Sequence, residues 1–153
     1  MADPGYITRN GKRIDFVVAG APDGIPLLFV PGSFSTPVAW RAIQSALGAG
    51  YRFHATSILG YGGTEETRSK HDCHIDREVE VIEAVGREIA RPVHLVGHSF
   101  GATVALAAAM QHRIDTLSVT TFEANPISLL ASAHPELFAE AAATGGAIRQ
   151  ACE

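Results

Sequence analysis

Short apolar runs closed by turn residues alternate along this chain with segments whose apolar positions recur at helical spacing. That alternation constrains the fold more than any other feature. Leu27-Leu28-Phe29-Val30 is wholly apolar and is stopped by Pro31-Gly32, the pattern of a strand buried on both faces. Phe53–Ile58, Val93–Val96 and Leu117–Phe122 are further strand runs, the last ended by Asn125-Pro126. Helical patterns lie between them. Trp40, Ile43 and Leu47 share one face and stop near Gly48-Ala49-Gly50, while Ile75, Val79, Ile82, Val85 and Ile89 form an apolar stripe opposite Asp, Arg and Glu. Phe100–Gln111 is an alanine-rich helix, and a last helix is expected from about Pro135 to Ala143, stopping at Gly145-Gly146. Ahead of all these, Asn10-Gly11 joins Tyr6–Thr8 to Ile14–Val18 as a two-residue hairpin. Strands alternating with helices imply βαβ units, so the fold class is α/β, a mainly parallel sheet with helices on both faces and an antiparallel hairpin at its edge.

At 153 residues, 46% of them hydrophobic, the chain has room for one domain with a substantial core. Sixteen acidic against twelve basic residues give a formal charge of −4, which lacks the basic footprint that supplies most nucleic-acid affinity. No nucleic-acid partner is expected. The longest apolar run, Ala102–Met110, falls far short of the ~20 residues that span a bilayer, so no membrane partner is expected either. Two cysteines, Cys73 and Cys152, are too few for a disulfide scaffold, and the first ten residues show no secretory pattern. The expected location is cytoplasmic.

Gly97-His98-Ser99-Phe100-Gly101 lies between a strand and a helix. This G-x-S-x-G string is weak alone and gains meaning from that context, which lifts a serine on a tight turn to the carboxyl edge of the sheet. The plainer reading of Ser99 is a helix N-cap in an ordinary βα turn.

With these residues in place the sequence resembles the α/β-hydrolase superfamily over nearly all its length. Val30-Pro31-Gly32-Ser33-Phe34 is similar to the oxyanion loop, with Pro31 where relatives usually carry His. Leu59-Gly60-Tyr61-Gly62-Gly63-Thr64 resembles the glycine-rich turn after the fourth strand, usually D-x-x-G-x-G-x-S, and Gly97–Gly101 the nucleophile elbow. Phe122-Glu123-Ala124-Asn125-Pro126 is similar to the turn where a cap region begins, which implies a core over 1–126 and the start of a cap over 127–153. The resemblance implies a serine hydrolase acting on a small-molecule ester or other acyl substrate without a cofactor or metal. Ser99 would be the nucleophile, and the backbone N–H groups of Phe100 and of Ser33 or Phe34 would form the oxyanion hole.

Family members carry eight strands, with the catalytic acid after the seventh and the catalytic histidine after the eighth. Six strands are countable here, so the chain resembles a truncated, N-terminal part of such an enzyme. Glu123 is the candidate acid, its plainer reading being a cap for the segment that follows. Of the histidines, His98 adjoins the nucleophile with its side chain expected to point away, His54 and His94 sit within strands, His112 closes a helix, and His134 lies in the tail. His71-Asp72-Cys73-His74 holds three metal-ligand types, but adjacent side chains on a loop diverge; a solvated loop with Asp72 as a helix cap is the expectation. The sixth strand, left without a neighbour, is expected to be a bare apolar edge, so that the chain either self-associates through it or is poorly soluble. The rival to the enzyme is a non-catalytic truncated product that binds a small ligand or another subunit.

Overall fold

Asn10 and Gly11 take φ of 50° and 74°, the left-handed pair that a two-residue hairpin requires, and the first two strands fold back on each other about them. In the computed structural model, which describes residues 3–151, these are β1 (Asp3–Arg9) and β2 (Lys12–Gly20). There follow β3 (Ile25–Val30), a 3-10 turn (Pro37–Trp40) running into α1 (Arg41–Leu47), β4 (Tyr51–Ala55) and α2 (Asp76–Ile89). Then come β5 (Val93–His98), α3 (Phe100–Met110), β6 (Thr116–Phe122), a 3-10 turn (Ile127–Leu129), α4 (Leu130–Ala133) and α5 (Pro135–Ala151). Cys152 and the last residue of the expected cap segment lie outside the described residues.

The six strands form one sheet in the order β1-β2-β4-β3-β5-β6, parallel from β4 to β6 and antiparallel where β2 meets β1 and β4. The period of two along β3 divides the core. Leu28 and Val30 pack toward α2 and α3 with Val79, Ile82, Leu95 and Val104, while Leu27 and Phe29 pack toward Trp40 and Ile43 on the other face. Leu28, Phe29, Val30 and Leu95 are fully buried, and β3 accordingly carries no polar residue. The α/β class with helices on both faces is therefore the observed one.

The structure corrects three details. β4 ends at Ala55 rather than Ile58, because the Thr56 and Ser57 side chains bond to Asp15 and turn the chain out of the ladder. Asp72 does not cap α2; it pairs with Arg77, and the cap position is Ile75 with no side-chain bond. The last helix runs through Gly145 and Gly146 to Ala151, since neither glycine takes the left-handed conformation that would end it.

β6 is the sheet edge, with Leu117 and Phe122 exposed and Val119 packed on the core. α5 packs chiefly against α4 and the preceding 3-10 turn. No helix among the described residues is long and apolar enough to cross a membrane.

Candidate active site

Where β5 passes into α3, Ser99 takes φ 52° and ψ −123°, a conformation a non-glycine residue keeps only when its surroundings impose it. The flanking glycines show what imposes it. A Cβ on Gly97 would stand 2.5 Å from Ala102 Cα, and one on Gly101 would stand 2.2 Å from the Pro31 carbonyl oxygen. Both positions are closed to any side chain. The Ser99 N–H donates to the Phe122 carbonyl at 2.8 Å, tying the turn to the end of β6.

The loop after β3 lies against this turn. A Cβ on Gly32 would meet Ser99 Cβ at 3.0 Å and His98 Nδ1 at 3.0 Å, so the close approach depends on that glycine. Phe34 sits at φ 60° and is 92% exposed, and its ring meets Tyr61 edge-on at 5.8 Å. The backbone N–H groups of Ser33, Phe34 and Phe100 donate to no acceptor among the described residues. For Phe100 this follows from its place as first residue of α3.

Beside the turn opens a cleft of about 620 Å³ walled by Pro31, Trp40, Ile43 and Phe122. His98 and Glu123 stand at its mouth, with His98 Nε2 3.7 Å from Glu123 Oε2. Glu123 itself takes φ 52°, so the residues at 34, 99 and 123 crowd three left-handed non-glycine conformations around one edge of the sheet.

No hydrogen bond joins the Ser99 hydroxyl to a histidine among the described residues. His54 is buried in β4, stacked on Phe16, and burial followed by the charges of Arg52 and Arg91 lowers its pKa to about 4, so it stays neutral. His94 Nδ1 lies 2.8 Å from Ser118 Oγ, and His134 is paired with Glu136 in the tail. Among the described residues no three His, Cys, Asp or Glu side chains converge to hold a metal ion.

The glycine-rich turn is held from two sides. Asp15 on β2 accepts from the Ser57 hydroxyl at 2.7 Å and the Gly63 N–H at 2.8 Å. Glu78, buried on α2, accepts the Leu59 N–H at 3.0 Å and pairs with Arg68 at 2.9 Å; burial raises its pKa against those two favourable contacts.

A loop, a glycine turn and a strained serine turn now stand after β3, β4 and β5 in that order, and comparison with known proteins agrees with the arrangement. Residues 27–150 match the description "Alpha/beta hydrolase family". The chain belongs to that family. The 2-hydroxymuconate semialdehyde hydrolase of Pseudomonas sp. (strain CF600) is 35% identical over 112 residues, 69% of this chain and 38% of that protein. Epoxide hydrolase 3 of Xenopus tropicalis is 28% identical over 113 residues, 71% of this chain and 30% of that protein. The thioesterase domain from the curacin biosynthetic pathway superposes with a TM-score of 0.73 at 25% identity, over 81% of this chain and 47% of that one. This alpha/beta hydrolase chain thus spans well under half the length of the curated relatives it matches.

The segments 30–34, 59–64 and 97–101 lie at or beyond the ends of β3, β4 and β5, and Ser33, Ser99 and Phe100 fall on the first and last of them. Glu123 reaches His98 rather than Ser99. Sequence reasoning missed Asp15, which looks like one polar position in a hairpin strand. Only the serine at position 57, where the family pattern has an acid, hints that a carboxylate comes from elsewhere.

Proposed function

We propose that the chain carries the nucleophile half of a serine hydrolase that acts on a small-molecule ester or other acyl substrate. The observation that supports this best is Ser99 at φ 52° between two glycines whose Cβ positions are occupied by neighbouring backbone. In this reading Ser99 Oγ attacks the acyl carbonyl and its proton passes to a base. The Phe100 N–H and that of Ser33 or Phe34, both unspent, hold the oxyanion of the tetrahedral intermediate. Collapse expels the leaving group with a proton and leaves an acyl-Ser99 ester, which water hydrolyses. The apolar walls at Trp40, Ile43 and Phe122 suit the carbon skeleton of the acyl group. A serine rather than an aspartate at the elbow favours acyl chemistry over that of dehalogenases sharing this fold. Relatives named as a semialdehyde hydrolase and a thioesterase domain accord with it. Glu123, at the cleft mouth, is the carboxylate proposed for the acid role.

One observation favours the rival, a non-catalytic ligand binder: no described histidine bonds to the Ser99 hydroxyl. Labelling with a fluorophosphonate, read by intact mass beside Ser99→Ala, separates the two. Stoichiometric labelling that the alanine variant loses supports the hydrolase. A wild-type chain that stays unlabelled favours the binder.

A further inference from the structure

We propose that Asp15 is a positioning residue for the oxyanion donors, acting through the glycine turn at 60–63 and the contact between Tyr61 and Phe34. The proposal rests on the reading above that the amide of Ser33 or Phe34 meets the developing oxyanion.

One residue of β2 makes four bonds to the segment 56–64. Besides the two carboxylate bonds from Ser57 and Gly63, the Asp15 N–H donates to Thr64 Oγ1 at 3.0 Å, and its carbonyl accepts from Thr56 Oγ1 at 2.8 Å. The turn is moulded on this carboxylate. A Cβ on Gly62 would lie 2.4 Å from Asp15 Oδ2, and one on Gly63 would lie 2.5 Å from Oδ1. The pattern D-x-x-G-x-G-x-S puts an acid three residues before the first glycine; here that place is Ser57, whose hydroxyl instead donates to Asp15. The carboxylate at this turn comes from β2 rather than from the segment after β4.

The turn so fixed presents Tyr61, and Tyr61 is the aromatic neighbour of Phe34. Phe34 needs such a neighbour. It is exposed and holds a left-handed φ of 60° in the segment that carries the amides of 33 and 34. Asp15 thus stands two contacts away from the donors and touches no reacting atom, which makes its role one of positioning.

The test uses the full chain and two readouts, the ¹⁵N–¹H resonances of Ser33, Phe34 and Gly63 and the rate of fluorophosphonate labelling at Ser99. Asp15→Asn is expected to shift all three amides and to slow labelling by about tenfold, the scale expected for slightly misplaced catalytic groups. Tyr61→Leu leaves the four bonds of Asp15 in place and is expected to move Ser33 and Phe34 but not Gly63. The exchange Asp15→Ser with Ser57→Asp, which returns the carboxylate to the family position, is expected to restore resonances and rate together. If Asp15→Asn moves Gly63 and leaves Ser33 and Phe34 where they were, Asp15 is only a turn clamp and the proposal falls. Should Asp15→Asn fail to fold, Tyr61→Leu decides, and unmoved Ser33 and Phe34 amides overturn the proposal. A wild-type chain that does not label at all defeats the hydrolase reading, and the resonances alone then judge the positioning.

Discussion

The centre of the sheet and the segment from β6 onward both carry apolar residues and end in opposite states. In β3 and β5 almost every side chain is buried between two helical layers, while in β6 and the helices after it almost every side chain meets solvent. Ser99 belongs to the first region and Glu123 to the second, with the bond from Ser99 N–H to the Phe122 carbonyl joining them. The difference teaches where precision comes from. The serine turn is fixed by backbone packed against backbone, whereas Glu123, with a side chain 87% exposed, is fixed by little beyond its own φ. The Ser99 turn is held rigidly while the Glu123 side chain is not.

Glycine substitutions in the two regions give the largest expected contrast. Gly101→Ala drives a Cβ into the Pro31 carbonyl and is expected to cost about 3 kcal/mol or to prevent folding. Gly146→Ala meets nothing within 4 Å inside α5 and is expected to add helicity worth no more than about 1 kcal/mol. Urea unfolding followed by circular dichroism measures both, and equal effects break the comparison.

A smaller effect comes from the buried histidine. The folded pKa of His54, about 4, lies below its ordinary value of 6.5, so between those pH values the unfolded chain binds more protons. Stability is therefore lost as pH falls from 6.5 toward 4, by about 3 kcal/mol from this group. Glu78 acts in the opposite sense, because its raised pKa makes the folded chain take up a proton first as pH falls toward 4.5. His54→Phe, which keeps the stacking on Phe16, is expected to abolish the loss and uncover the modest gain from Glu78 in unfolding curves taken from pH 7 to 4.5. A variant with an unchanged profile refutes the assignment.

The central region was legible in the sequence because its constraints leave marks. Gly32 after an unbroken apolar run and Gly97 and Gly101 around a serine are glycines that close neighbours demand at fixed spacing. The end of β4 was not legible, since Thr56 and Ser57 suit a strand and leave it only because Asp15, some forty residues earlier, takes their hydroxyls. The run of α5 through two glycines escaped for the converse reason: nothing local ends it, and alanines on either side carry it on. The left-handed turns at Phe34 and Glu123 leave no mark either, being imposed by what surrounds them.

The smallest expected effect concerns the edge itself. Thr116–Phe122 contains no charge, proline or glycine, the devices that usually keep edge strands apart. Ser118, Thr120 and Phe122 line a groove on one face while Val119 packs toward the other, so antiparallel pairing with a second copy about Val119 sets Ser118 beside Thr120 and keeps like faces together. Sedimentation of the wild-type chain is expected to show weak association at high micromolar concentration, and Thr120→Lys is expected to remove it while moving stability by less than about 0.5 kcal/mol. A monodisperse wild-type monomer at that concentration refutes the pairing. Loss of association without loss of stability shows instead that the exposed segment from β6 onward contributes surface for contact and little to the fold, the property that separates it from the region holding Ser99.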